Sequence, residues 1–180
     1  MRKVVLLGLA VCVGVLAISA VAFAGRGHGK GDATKFSARL NGWEEDPSQV
    51  TTGRGSFRAH VVSPTRIDFT LKYRNLEDTN VVQAHIHIGS RHESGGISAW
   101  LCGGATQPAC PAGPTATVNG TIEAADITGP AGQGVEAGNF NDLLRAMRKG
   151  ESYANVHTSP RAPGGEIRGQ IRGHHDDDDD

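Results

Sequence analysis

The sequence predicts a mainly β protein: an antiparallel, Greek-key-like β-sandwich or partly closed barrel with one short helix. Three observations carry that expectation. Short stretches in which apolar and polar residues alternate recur along the chain, and clusters rich in Gly, Pro and Asn separate them. Only one segment spaces its apolar side chains as a helix would. Many short strands and no strand-helix-strand alternation point to sheets folded on themselves. At 180 residues, the chain has room for one domain with a real core once its ends are set aside.

The N-terminal end reads as a targeting segment. Arg2 and Lys3 precede an apolar run from Val4, and Ala22-Phe23-Ala24 offers small residues for cleavage before Gly25. Residues 1–24 are therefore expected to be a cleavable signal peptide that delivers a secreted or periplasmic protein. The run is long enough to span a bilayer, so a retained anchor is the alternative; the small-residue exit and the lack of a stop-transfer pattern favour cleavage, leaving no membrane span in the mature form. Residues 25–33 read as a flexible Gly- and Lys-rich leader, 34–172 as the β domain, and 173–180 as a disordered tail of His174, His175 and five Asp.

The elements follow in order. Phe36, Ala38 and Leu40 alternate with Ser37 and Arg39, and Asn41-Gly42 ends the first strand. The clearest pair is Gly55 to Val62 and Arg66 to Tyr73, joined by Ser63-Pro64-Thr65. A strand carrying Ala84-His85-Ile86-His87-Ile88 follows, then a loop through Gly89–Gly96, a short strand from Ile97 to Leu101, and an alternation through Ala116, Val118, Gly120 and Ile122. Phe140, Leu143, Leu144 and Met147 mark the helix, with Asn139 or Asn141 as its cap, Arg145, Arg148 and Lys149 near its end, and Gly150 as its stop. The last strands are Tyr153 to Thr158 and Glu166 to Ile171, the latter with Ile167, Gly169 and Ile171 facing in and Glu166, Arg168 and Gln170 facing out.

Charge argues against some partners. The whole chain has a formal net charge of −1, with 18 Lys+Arg and 19 Asp+Glu. Without Arg2 and Lys3 the mature chain is at about −3, and at about +2 when the five-Asp tail is also set aside, too near neutral to predict nucleic acid or an anionic membrane as partner. Cys102 and Cys110 remain after processing, and in an oxidising compartment an isolated pair is most simply a disulfide. Metal binding by the two thiolates is the alternative, which their spacing does not favour.

The residues with most chemical content are histidines. In an extended strand His85 and His87 share a face, which brings two imidazoles side by side; His157, on the same kind of face of Tyr153–Thr158, would supply a third if the strands are neighbours. Three neutral imidazoles suit copper, zinc or nickel and leave a position open for water, Glu166 or His92. The same spacing also allows a structural reading, in which His85, His87 and Asn155 hydrogen-bond to hold the strands in register. His92-Glu93 reads more simply as a solvated loop pair, His60 as an exposed strand position, and Glu44-Glu45-Asp46 beside Pro47 as a rigid exposed turn. No nucleophile elbow accompanies any serine.

Taken together, several stretches resemble the CHRD domain, the module named from chordin and also found as a stand-alone secreted bacterial protein. They are Phe36-Ser37-Ala38-Arg39-Leu40 with Gly42 and Glu45-Asp46-Pro47, Gly55 before Phe57, Ala84-His85-Ile86-His87-Ile88-Gly89, Tyr153-Ala154-Asn155-Val156-His157-Thr158, and Pro163-Gly164-Gly165-Glu166-Ile167-Arg168-Gly169-Gln170-Ile171. The resemblance implies an extracellular module, since in chordin such domains accompany growth-factor binding; the Cys102–Cys110 loop and the acidic tail depart from the pattern. The histidines fall in the motifs that carry the resemblance, which strengthens the metal reading. The expectation is a secreted, non-enzymatic binding protein with His85, His87 and His157 as a copper site, or zinc second. An extracellular protein-interaction module with purely structural histidines is the alternative. A dismutase-type redox enzyme ranks third, because the second ligand set of copper-zinc dismutases has no counterpart here.

Overall fold

A computed structural model describes residues 32–174. The expected signal segment, most of the leader and residues 175–180 of the tail lie outside them. Nine strands form one sheet: β1 (Lys35–Asn41), β2 (Arg54–Ser63), β3 (Arg66–Arg74), β4 (Val81–Ile88), β5 (Ile97–Cys102), β6 (Ala116–Glu123), β7 (Ser152–Thr158), β8 (Ile167–Gln170) and β9 (Arg172–His174). One α-helix, α1 (Phe140–Lys149), precedes β7. Every strand pairing is antiparallel, and the sheet order is β5-β4-β7-β8-β1-β2-β3-β6, with β9 also on β1. The two ends of that path, β5 and β6, lie against each other, so the sheet curls into a nearly closed barrel. The sandwich-or-barrel expectation is thus met on its barrel side.

Alternation explains the core. Phe57, Ile67, Leu71, Ile86, Ile122, Val156 and Ile167 point inward and are fully buried, and each large side chain withdrawn from water contributes roughly 1.5 to 3 kcal/mol. The chain closes because β7 and β8, late in sequence, fit between β4 and β1. Gly169 permits this crossing: a Cβ there would lie 2.1 Å from the carbonyl oxygen of Arg39 on β1. Helix α1 buries Phe140, Leu143, Leu144 and Met147 against the barrel. Asn139 caps its start, accepting from the Asp142 N–H, and Gly150, at φ 72°, ends it in the left-handed conformation that glycine adopts without strain.

Cys102 and Cys110 form a disulfide across an eight-residue separation. Loop-closure entropy puts its contribution on the order of 2 to 3 kcal/mol. Two expectations at the domain ends change. Gly173 and His174 are not tail residues: they pair with Phe36 and Lys35 in β9, and the His174 ring hydrogen-bonds Ser37 Oγ at 2.6 Å. Ala33, expected in the leader, is buried against the core. Among the described residues no helix is long and apolar enough to cross a membrane.

Candidate metal centre

The register of β4 on β7 builds the site. Ala84 lies opposite Val156, His85 opposite Asn155, His87 opposite Tyr153 and Gln83 opposite His157. Ala84, Ile86, Ala154 and Val156 therefore fill the barrel, and His85, His87, Tyr153, Asn155 and His157 share its outer surface. Outward does not mean solvated here. His85 is 1% exposed, Asn155 2% and His157 6%.

Three loops roof this part of the sheet. From 42–52, Glu45 Oε1 accepts from Asn155 Nδ2 at 2.7 Å. From 89–96, the Gly95 carbonyl meets His87 Nδ1 at 2.7 Å, the Gly95 N–H donates to Tyr153 Oη at 3.1 Å, and the Glu93 carbonyl accepts from Arg168 at 3.1 Å. From 159–166, the Pro163 carbonyl meets His157 Nδ1 at 2.9 Å. The first two loops are tied together, since Arg91 donates to Glu44 and Ser94 Oγ donates to Asp46 at 3.0 Å.

These contacts determine how the imidazoles present themselves. A carbonyl can only accept, so Nδ1 of His87 and of His157 must carry the proton, and the Nε2 lone pair of each neutral ring is left free. Both Nε2 atoms, and both ring nitrogens of His85, are buried without a hydrogen-bond partner. An unpaired buried polar atom costs about 1 to 3 kcal/mol, so several aimed at one place are an expense that folding alone does not explain. His85 is central, its ring 4.5 Å from both His87 and His157 between centroids. One ring nitrogen from each of the three lies within 4.8 Å of the others, and among the described residues this is the group able to hold a metal ion. Donors at about 2.0 to 2.1 Å from a shared ion stand about 3.3 to 3.6 Å apart in trigonal or tetrahedral geometry, so the rings would draw in by roughly an ångström on binding.

Electrostatics agrees with neutral ligands. Burial pushes His85 down to about 2, with repulsion from His87 and His157 adding to it. Burial likewise pushes His87 down to about 4 against the opposing hydrogen bond from Gly95, and lowers His157. All three rings are therefore unprotonated at neutral pH and able to donate to a cation.

The surroundings are aromatic and polar. The Trp100 ring meets His85 edge-on at 5.0 Å, and Tyr153 stacks on His87 at 4.7 Å with 7° between planes. The Arg168 guanidinium lies 4.1 Å from the centre of the Tyr153 ring. Sequence reasoning put Arg168 and Glu166 on a solvent face, yet both are buried under the loops. Glu45, read as part of an exposed turn, is buried too; desolvation raises its carboxyl to about 8, against the pull of the Arg168 charge and the Asn155 amide. Period-two alternation carries no signal that a loop far away in sequence will cover the outer face.

The two additional ligands considered from sequence stand apart from the trio. Glu166 is engaged elsewhere: Oε1 accepts from Thr51 Oγ1 and the Glu77 N–H, both at 2.7 Å, and Oε2 from Thr158 Oγ1 at 2.8 Å. His92 is exposed in the 89–96 loop with φ of 63°. Asn155 makes its bonds to Glu45 and to the Ile167 carbonyl, so the hydrogen-bonded cluster of His85, His87 and Asn155 does not form.

A family model described as the CHRD domain matches residues 36–171, most of the chain, and the chain belongs to that family. No curated protein and no solved structure matches it. Domains of the family are generally extracellular.

Proposed function

We propose that this CHRD domain is a secreted or periplasmic metal-binding protein that holds one transition-metal ion through His85, His87 and His157. The observation that supports it most directly is the set of buried ring nitrogens, close together and without partners, two of the rings being oriented by backbone carbonyls behind them. Such outer contacts select the tautomer that leaves Nε2 free and raise its basicity, as they do around many metal-bound imidazoles. An all-nitrogen donor set favours copper by intrinsic affinity, with zinc second. Three protein ligands leave a position for water or an exchangeable group, which suits a role in carrying or buffering an ion. The role is binding rather than turnover.

The test uses tag-free protein starting at Gly25 and ending at His174, so that His175 and the five-Asp tail cannot contribute. Titration with Cu(II) and Zn(II) is expected to give about one ion per chain, with His85→Ala and His157→Ala each weakening it by about a hundredfold or more. Loss of binding on removing residues 175–180 alone, or one-to-one binding that survives His85→Ala combined with His157→Ala, would exclude the site. The interaction-module alternative expects metal to change nothing and a specific protein to be captured.

A further inference from the structure

Across β8 from the histidine strands, the outer faces of β1, β2 and β3 form a shallow cleft of about 810 Å³ along the strand ends that lead to Arg54 and Arg74. Arg39, Arg54, Lys72 and Arg74 line it, Trp43 stands at its edge 57% exposed, and none of its lining residues is acidic. Arg58, exposed on the same face of β2, extends the positive surface along the sheet. Among the described residues, no carboxylate forms an ion pair with any of these five cations; the nearest paired acid of this face, Asp68, is bound to Arg66. In a chain whose formal net charge is −1, this is a strong local segregation of charge.

The register concentrates like charge, although Arg54 Nη1 also donates to the Thr51 carbonyl at 3.2 Å and to the Gly53 carbonyl at 2.6 Å. Arg54 and Arg74 are directly opposite each other across β2 and β3, and like charges so placed repel. Arg39, Ser56, Lys72 and Thr117 form one row across four strands, with hydroxyls between and beside the cations. The next row toward the strand ends is Asn41, Arg54 and Arg74. Successive rows are about 7 Å apart along the strands and neighbouring strands about 5 Å apart, which sets single cations at sugar-sized intervals.

We propose that this cleft binds a linear acidic polysaccharide of the uronate type. Guanidinium forks pair with carboxylates through two parallel hydrogen bonds, the hydroxyls and the Asn41 amide suit sugar hydroxyls, and an exposed indole offers its flat face to the C–H face of a pyranose ring. Nucleic acid fits less well. The barrel's outer face presents no element to enter a groove, and Trp43 is the sole aromatic ring exposed along the cleft, where single-strand binders stack several bases in succession. A membrane surface fits less well too, since Trp43 is the one large apolar side chain exposed along the cleft.

This assignment is independent of the metal site and is tested without metal. Polygalacturonate titrated into the Gly25–Asp180 protein at about 50 mM salt is expected to change Trp fluorescence saturably, the affinity falling as salt is raised. Trp43→Phe should remove the fluorescence change while calorimetry still detects binding. Lys72→Glu combined with Arg74→Glu should weaken binding at least tenfold, while Arg145→Glu on the far surface of α1 leaves it unchanged; unaltered far-ultraviolet dichroism checks the fold of each variant. No saturable binding, or binding indifferent to the Lys72/Arg74 reversal, would overturn the proposal. So would tighter binding of duplex DNA or of phosphatidylglycerol vesicles with that same residue dependence.

Discussion

The outer faces of β4–β7 and of β1–β3 obey the same period-two alternation, yet one is closed and the other open. On β4–β7 three loops descend on the strands, and residues that alternation sends outward become a second, polar interior. On β1–β3 no such roof forms, and Arg39, Arg58, Lys72 and Arg74 remain exposed. The three imidazoles and Glu45 sit under cover with one buried cation, Arg168, among them, whereas Arg39, Arg58, Lys72 and Arg74 stand in the open. Burial penalises a charge heavily and a neutral imidazole much less, so the roofed face suits ligation by neutral donors and the open one suits attraction at longer range.

The largest effect should come from cutting into the roofed face. His85→Ala is expected to cost about two orders of magnitude in Cu(II) affinity by titration, while Arg58→Ala on the open face changes it little. Equal losses from both variants would mean that the faces are not separate in function.

Opening the roof without touching a ligand is the next largest test. A Cβ at Gly95 would lie 1.6 Å from the Ile88 carbonyl oxygen, so Gly95→Ala must displace the loop whose carbonyl orients His87. It is expected to lower stability by about 1 to 3 kcal/mol in urea unfolding and metal affinity roughly tenfold. A metal affinity unchanged by Gly95→Ala would show that His87 needs no orienting contact.

Glu45 gives the roof a pH signature. Its carboxyl is raised from 4.5 to about 8 in the fold, so the folded state holds a proton that the unfolded chain has released between those values. The stability linked to that proton is fully present below about pH 4.5 and is lost as pH rises toward 8, at up to about 1.4 kcal/mol per pH unit. The buried histidines act in the opposite direction below about pH 6.5, because there the unfolded chain binds the protons. Comparing metal-free wild type with Glu45→Gln cancels their part. The wild type should lose stability relative to the variant between pH 5 and 8, and a difference that stays constant with pH would rule out a protonated Glu45.

The smallest expected effect lies on the open face. Arg74→Thr relieves the repulsion with Arg54 and should raise stability by a few tenths of a kcal/mol, with Cu(II) affinity unaltered. A clear loss of stability instead would show that the two guanidinium groups are tolerated without cost.

The histidine cluster was legible in part because His85 and His87 are two residues apart on one strand and Tyr153–Thr158 repeats the pattern of an apolar face backed by His157, while their meeting depends on the β4–β7 register. The helix was legible from local spacing as well, with Asn139 and Gly150 marking its limits. Glu45, Tyr153 and Arg168 were not recognised as surroundings of the site, because their burial depends on chain segments that meet only after folding. The cationic cleft was hidden in another way, since a net charge averages over the chain and Arg54 and Arg74 become neighbours only through the β2–β3 register.

By itself, then, the sequence determined strands β1 to β8, the helix and the shared face of His85 and His87, since these follow from backbone periodicity and local capping, and the cysteine pair, which follows from an oxidising compartment. Only the tertiary structure decided that β7 lies beside β4, that carbonyls of distant loops orient His87 and His157, and that one outward face is covered while the other stays wet. The physical reason is that alternation specifies a side of the sheet, whereas the dielectric and the hydrogen-bond partners on that side are supplied by segments far away along the chain.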